Sequence, residues 1–138
     1  MSQKKCSGRT IYKGKSSGEV IATRMGISFF GGVDPDTGIV LEKDHELEGR
    51  SISGKVLVFP TGKGSTVGSY TIYRLARAGK APLAIINQEC ETITAVGTII
   101  AEIPCVDQID ISQFKDGDMV EVDADSGTIT ILEVENAS

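Results

Sequence analysis

The sequence has 138 residues, of which 40% are hydrophobic and 24% charged, with a formal net charge of -5 at pH 7. This length predicts a single domain over residues 1–138 with an ordered core of about 9–133, and the apolar content excludes a wholly disordered chain. The pI of about 4.9 argues against general nucleic-acid binding, and no apolar run reaches the roughly 20 residues of a membrane span.

The first third of the chain is predicted to form short β-segments joined by turns. Residues 9–13 and 19–22 are predicted strands, and Ser16-Ser17-Gly18 is predicted to be a turn between them. Residues 31–38 contain paired glycines and an Asp-Pro step, which favour a long turn. A short extended piece at 39–41 is expected to follow.

The middle of the chain predicts a βαβ unit. The apolar runs at 55–59 and 83–87 are typical of buried strands, and a helical stretch separates them. Two strands joined by a crossover helix are expected to be parallel, with a right-handed connection.

Periodicity and capping signals define the helix of this unit. Ile72 and Leu75 lie on its apolar face. Ser65 or Thr66 is the expected N-terminal cap, and Gly79 is the expected C-terminal cap.

The last third is predicted to contain one more helix and a β-hairpin. The helix spans about 91–101 and is ended by Pro104, after which 105–106 form a short strand. Residues 119–131 alternate in polarity around a turn at 125–127, as expected of a hairpin. The predicted fold class is therefore β-rich α/β.

Charge is distributed unevenly. Residues 49–88 carry six basic side chains and no acidic one, whereas residues 89–138 carry twelve acidic and one basic. The basic block can attract a small anion. The alternative, that Arg74, Arg77 and Lys80 form a solvated helix face, stays open.

Three cysteines and one histidine limit the metal chemistry of the chain. Cys6, Cys90 and Cys105 are too scattered for a four-cysteine iron–sulfur site, and His45 alone excludes a site built on several histidines. An odd number of separated thiols favours the reducing cytoplasm, and residues 1–6 predict no secretory signal. Metal chemistry would have to come from a partner.

Two glycine-containing segments match catalytic motifs without their context. Gly14–Gly18 fits the G-x-S-x-G pattern of a nucleophilic serine, but no buried strand precedes it. Gly62–Thr66 lacks the spacing of a phosphate-binding P-loop, since position 57 is leucine, which argues against NTP hydrolysis. Its glycines and Lys63 nevertheless suit an anion. The alternative is that Ser65 only caps the helix.

Residues 75–82 are also similar to a segment of swivelling phosphocarrier domains. Those domains carry a histidine at the start of the helix, where this chain has Thr66-Val67-Gly68-Ser69. The scaffold can be shared, but phosphohistidine chemistry cannot.

Five blocks, in order, resemble the aconitase X swivel-domain family. They are residues 31–38, 49–60, 62–69, 81–86 and 99–104. The resemblance extends over about 9–133 and implies a swivelling β/β/α domain that closes over a large subunit.

As a free-standing chain, the sequence resembles the small subunit of the archaeal two-subunit form of this family. That resemblance implies dehydration of (R)-5-phosphomevalonate to trans-anhydromevalonate 5-phosphate, in an archaeal mevalonate route to isoprenoids. It implies a heterodimer whose large subunit holds a 4Fe-4S cluster, with no metal on this chain. Ser65 is then the implied proton acceptor. The expected substrate-binding residues are Gly62, Lys63, Gly64 and Thr66.

Two alternatives stay open. Relatives that dehydrate cis-3-hydroxy-L-proline carry a related serine loop with different flanking residues, and the segment 66–70 here is more similar to the archaeal version. The second alternative is a non-catalytic module that binds an anion at the same loop. Neither nucleic acid nor a membrane is an expected partner.

Overall fold

The structure, a computed structural model, describes residues 2–133. Its strands are β1 (Ser2–Ser7), β2 (Arg9–Tyr12), β3 (Lys15–Ala22), β4 (Val56–Phe59), β5 (Ala84–Asn87), β6 (Cys105–Asp107), β7 (Met119–Asp123) and β8 (Thr128–Glu133). Its helices are α1 (Phe29–Gly32), α2 (Gly68–Arg77) and α3 (Thr92–Ala101), with a 3-10 turn at Ile111–Gln113. No helix within these residues is long and apolar enough to cross a bilayer.

The strands lie in the order β1-β8-β7-β3-β4-β5-β6-β2. The strands from β3 through β6 run parallel, and all other neighbours are antiparallel. β3 belongs to both parts, because Lys15–Glu19 pair with β7 and Val20–Ala22 pair with β4. The sheet therefore bends along β3 into two layers.

The two outermost strands of this order, β1 and β2, are consecutive in sequence. Only Gly8 separates β1, which pairs with β8, from β2, which pairs with β6. The Gly8 N–H donates to the Gly127 carbonyl (2.9 Å), and a Cβ on Gly8 would collide with the Asp107 carbonyl. The two sheet layers thus meet again at β1 and β2 and enclose a core between them.

Alternate residues of the central strands face two different cores. Val56, Val58 and Ile86 are buried between the sheet layers, whereas Leu57 and Ile85 face the helices. This arrangement confirms the predicted β-rich α/β class with a β/β/α layering, its parallel βαβ unit and its C-terminal hairpin. β4 and β5 are buried on both faces, which explains their continuous apolar sequence.

The predicted boundaries hold for most elements. α2 buries Ile72 and Leu75, as its periodicity indicated, and α3 begins after Glu91 as expected. Gly79 ends α2 with φ +71°, and the Lys80 N–H donates to the Leu75 carbonyl (2.8 Å) in the manner of a glycine C-cap.

One predicted turn is wrong. Ser16-Ser17-Gly18 lies inside β3, where Ser16 pairs with Val122 and Gly18 with Val120. Gly18 serves close packing here rather than a turn, because a Cβ on it would lie 2.7 Å from Leu83 Cδ1. β1, which was not predicted, forms by pairing with β8.

Candidate functional site

The loop between β4 and α2 contains all five predicted site residues, 62–66. It leaves the carboxyl end of β4, the edge at which open α/β sheets bind ligands. Two backbone hydrogen bonds fix its start: the Ile27 N–H donates to the Thr61 carbonyl (3.3 Å), and the Lys63 N–H donates to the Ile27 carbonyl (2.9 Å). The loop therefore begins as an extension of the sheet.

Gly62 is the point at which this loop packs against the start of α3. The Glu91 carboxylate caps α3 by accepting hydrogen bonds from the N–H groups of Ile93 (2.8 Å) and Thr94 (2.7 Å) and from the Thr94 hydroxyl. A Cβ on Gly62 would lie 3.2 Å from Glu91 Cδ and closer still to Glu91 Oε1 and Thr94 Oγ1. Only glycine fits, so the cap of α3 positions the loop.

Gly64 redirects the loop toward α2. Its φ of +97° lies in the left-handed region that glycine tolerates. A Cβ there would also lie 3.2 Å from Ser28 Cβ. The Ser28 hydroxyl donates to the Phe30 carbonyl (3.2 Å), so the residue that Gly64 packs against is itself held at the start of α1.

Ser65 is exposed and begins a turn that leads into α2. Its Oγ accepts a hydrogen bond from the Val67 N–H (3.2 Å), and its carbonyl accepts one from the Gly68 N–H (2.9 Å). The prediction that Ser65 or Thr66 is the N-cap of α2 is wrong, because the cap residue is Val67, without a side-chain hydrogen bond. A tighter three-residue turn precedes the helix and moves its start to Gly68.

Three backbone N–H groups of this turn are available to bind an anion. Within residues 2–133, no protein atom accepts a hydrogen bond from the N–H groups of Gly64, Ser65 or Thr66. Consecutive free N–H groups at the positive end of a helix favour negative charge. The Ser65 hydroxyl stands within this set of donors.

The Lys63 ammonium group contacts a carboxylate. Its Nζ lies 3.0 Å from Oε2 of Glu42, and the two side chains are 51% and 26% exposed. The Glu42 N–H donates to the Gly32 carbonyl (3.3 Å), which fixes the carboxylate beside α1. Lys63 therefore adds little net positive charge to the loop while this ion pair is intact.

Sequence comparison identifies the family. The pattern that defines the aconitase X swivel domain matches residues 5–131 of this chain. The chain belongs to the aconitase X swivel-domain family.

Relatives and solved structures of this aconitase X swivel domain agree with that assignment. The phosphomevalonate dehydratase small subunits of Thermococcus kodakarensis and Methanosarcina acetivorans are 58% and 56% identical to it, over 94% and 93% of this chain and 97% and 91% of theirs. A crystal structure of Thermococcus kodakaraensis aconitase X in its holo-form superposes with a TM-score of 0.93 at 58% identity, covering 94% of this chain and 99% of that one. A solution NMR structure of a UPF0107 protein gives a TM-score of 0.86 at 49% identity, with the same coverage.

The cysteines of this aconitase X swivel domain do not fit an iron–sulfur cluster. Cys90 and Cys105 form a buried pair with their Sγ atoms 3.9 Å apart, while the Cys6 thiol faces the Ile129 carbonyl (3.8 Å). Hydrogen bonding with Cys90, and then burial, raises the pKa of the Cys105 thiol well above its ordinary value, so it stays protonated. Among residues 2–133, no three histidine, cysteine, aspartate or glutamate side chains are grouped to hold a metal.

Two residues around the loop escaped sequence reasoning. His45 is 5% exposed; its Nδ1 accepts from the Leu47 N–H (3.0 Å), so its Nε2–H donates to the Gly26 carbonyl (3.0 Å). That bond supports the segment before Ile27. Glu91 caps α3 although serine, threonine, aspartate and asparagine are the usual caps. The contacts of His45 with Gly26 and of Glu91 with Gly62 join distant parts of the chain, and the local sequence holds no signal for them.

Proposed function

We propose that this chain is the small subunit of a hydro-lyase that dehydrates (R)-5-phosphomevalonate to trans-anhydromevalonate 5-phosphate in the archaeal cytoplasm. One observation carries the proposal: an exposed serine lies among free backbone N–H groups in a chain that is 58% identical to a phosphomevalonate dehydratase small subunit. The alignment covers 97% of that relative, so the comparison concerns whole subunits.

Ser65 is the proposed proton acceptor of the reaction. A serine hydroxyl is a poor base at neutral pH, so it needs surroundings that stabilise the alkoxide form. The Val67 N–H, which donates to Ser65 Oγ (3.2 Å), and the positive end of α2 supply such surroundings. The N–H groups of Gly64, Ser65 and Thr66, which donate to no acceptor within residues 2–133, are suited to hold an anionic group of the substrate, with Gly62 fixing the loop.

Lys63 is proposed to bind the substrate as well, with a phosphate oxygen of the substrate sharing or replacing the carboxylate that Lys63 contacts in the free subunit. In the free subunit its ammonium group is paired with Glu42. A phosphate oxygen carries more charge than a single carboxylate oxygen and can share or replace this partner. The ion pair is partly exposed, so breaking it costs little.

The proposed enzyme needs a second, larger subunit. The relatives named small subunits support a larger partner, and the thiols described here do not fit a cluster. We therefore assign the expected 4Fe-4S cluster to the large subunit and derive no step on this chain from it.

The decisive experiment compares Ser65→Ala with Ser17→Ala, an exposed serine on β3. Each variant is co-expressed with the large subunit and assayed anaerobically on (R)-5-phosphomevalonate and on cis-3-hydroxy-L-proline. We expect Ser65→Ala to abolish turnover of phosphomevalonate with unchanged assembly and iron content, and Ser17→Ala to be fully active.

Stability alone does not decide the role of Ser65. Loss of the bond between its Oγ and the Val67 N–H should cost about 0.5–1.5 kcal/mol whether or not Ser65 is catalytic. The turnover number decides. Substantial activity of an assembled Ser65→Ala enzyme would refute the catalytic assignment, and turnover of hydroxyproline alone would refute the substrate.

A further inference from the structure

The buried His45 is connected through a single peptide group to the loop between β4 and α2, here called the Ser65 loop. Its Nε2–H donates to the Gly26 carbonyl (3.0 Å), and the N–H of the same peptide, that of Ile27, donates to the Thr61 carbonyl (3.3 Å). In a trans peptide these two groups point in opposite directions. The peptide is therefore held between the histidine on one side and the loop on the other.

Both ring nitrogens of His45 have a partner. Nδ1 accepts a hydrogen bond from the Leu47 N–H (3.0 Å), which leaves Nε2–H as the donor to Gly26. His45 is 5% exposed, so it lies in the core with both polar atoms satisfied. An apolar side chain of similar size could fill this space but could not bind the Gly26 carbonyl. The specific contribution of the imidazole is the orientation of the Gly26 peptide.

The segment that His45 holds is paired with the start of the loop. The Lys63 N–H donates to the Ile27 carbonyl (2.9 Å), and Ile27 forms a parallel β-bridge with Gly62. A Cβ on Gly26 would lie 3.2 Å from the Thr61 carbonyl oxygen and 3.5 Å from Lys63 Cδ. A rotation of the Gly26 peptide would therefore displace the backbone of the loop.

The contact between the two segments continues to the residue before Ser65. Gly64 packs against Ser28, since a Cβ on Gly64 would lie 3.2 Å from Ser28 Cβ. Residues 26–28 thus lie along residues 61–64, and a shift of the first segment is transmitted to Ser65.

The turn that carries His45 contacts the loop at a second point. The His45 N–H donates to the Glu42 carbonyl (3.2 Å), and the Glu42 carboxylate lies 3.0 Å from Lys63 Nζ. The Glu48 N–H donates to the His45 carbonyl (2.9 Å). Partly exposed ion pairs contribute little stability, so the buried histidine is the firmer of the two supports.

We propose that His45 is a positioning residue for the dehydration reaction. It orients the Gly26 peptide, on which the Ser65 loop begins, and thereby fixes the place of Ser65 relative to the substrate. This inference rests on the proposed function of Ser65. A misplacement of about 1 Å at a reacting group can lower the rate about 100-fold, so support of the loop from outside the site affects turnover.

Two substitutions separate the two hydrogen bonds of the His45 side chain. In His45→Gln the amide N–H takes the place of Nε2–H, so the bond to the Gly26 carbonyl is kept and the bond from the Leu47 N–H is lost. In His45→Asn the amide oxygen takes the place of Nδ1, so the Leu47 bond is kept and the Gly26 bond is lost. The control Ile129→Val removes a methyl group from the core between the sheet layers, to which no residue of the loop belongs.

The loop and the reaction are measured separately. Amide hydrogen exchange of the isolated full-length chain, followed by NMR, gives the protection of the Ile27 and Lys63 N–H groups relative to the amides of β4, so that global destabilisation cancels. Turnover of (R)-5-phosphomevalonate is measured after assembly with the large subunit. We expect His45→Asn to lose about tenfold or more in both quantities, and His45→Gln and Ile129→Val to stay within about threefold of the wild type.

The other results overturn a stated idea. If the assembled wild type does not turn over phosphomevalonate, the proposed function fails, and with it a role of His45 in that reaction. If the wild type is active and His45→Asn keeps its kcat and its amide protection, the positioning role is refuted while the function stands. An equal loss of kcat in Ile129→Val would assign the effect to stability and refute it too. If His45→Asn does not fold, a tenfold loss of kcat in folded His45→Gln, which keeps the Gly26 bond, refutes the proposal.

Discussion

Gly62→Ala tests whether the cap of α3 positions the Ser65 loop. The added methyl group has no room, because Glu91 Oε1 and Thr94 Oγ1 already occupy its place. Both atoms are held in a network of hydrogen bonds that caps α3, so neither can move freely. The loop must shift, or the cap must break.

The expected magnitude follows from these two routes. Overpacking by one methyl group costs about 1–3 kcal/mol of unfolding free energy, and loss of a helix cap costs about 0.5–2 kcal/mol. For a domain of this size, 1 kcal/mol corresponds to a melting-temperature change of about 4 °C. Gly62→Ala should therefore lower the melting temperature by about 4–12 °C.

A double-mutant cycle identifies the obstacle. Urea unfolding, followed by circular dichroism, is measured for Gly62→Ala, Glu91→Ala and the double variant. Glu91→Ala removes the cap and one of the two obstructing side chains, and it frees the hydroxyl of the other, Thr94, from its hydrogen bond. The double variant should therefore be more stable than the sum of the two losses predicts, by about 1 kcal/mol. Thr92→Ala, exposed in the first turn of α3, should change stability by less than about 0.5 kcal/mol.

Two results would contradict this reasoning. One is a loss below about 0.5 kcal/mol for Gly62→Ala, which would mean that the loop adapts without strain. The other is simple additivity with Glu91→Ala. In the assembled enzyme the displaced loop should also lower turnover, since a misplacement of 1 Å can cost about 100-fold in rate.

Two further perturbations probe charge. Lys63→Ala should raise the KM for the phosphorylated substrate and weaken the dependence of KM on salt concentration. The exposed control Lys43→Ala should leave both quantities unchanged. An unaltered KM in Lys63→Ala would mean that Lys63 is only a surface charge. Hydrogen bonds from the Thr23 hydroxyl and the Arg24 N–H hold the pKa of Glu46 below its ordinary value of 4.5. The ionised Glu46 therefore stabilises the fold above pH 4.5, and this stabilisation is lost as the pH falls below that value. Glu46→Gln should make the unfolding free energy fall less steeply with decreasing pH in the acid range. An unchanged pH dependence in that range would contradict this assignment.

Elements with a strong local pattern could be predicted from the sequence. The uninterrupted apolar runs of β4 and β5 require burial on both faces, and Gly79 marks the end of α2 through its left-handed conformation. The prediction of a turn at Ser16-Ser17-Gly18 was wrong because the polar, glycine-containing composition of this segment is typical of turns. The backbone pairing with β7 overrides that local preference.

From the sequence, the site could be predicted as a segment of the chain but not as a set of contacts. The residues 62–66 attract attention through composition, but the contacts that define their geometry join distant parts of the chain. Lys63 meets Glu42 across 21 positions and His45 meets Gly26 across 19. Side-chain pairs at such separations leave no periodicity or spacing that a single sequence reveals.

The junction at Gly8 also governs the order in which the chain can fold. β1 pairs with residues 128–133 and β2 with residues 105–107, so the first twelve residues emerge from the ribosome long before their partners exist. The paired residues are 93 to 131 positions apart, and contacts at such separations close late and slowly. During synthesis the two N-terminal strands remain open edges, a hazard for aggregation that the exposed Lys4 and Lys5 of β1 counteract by charge.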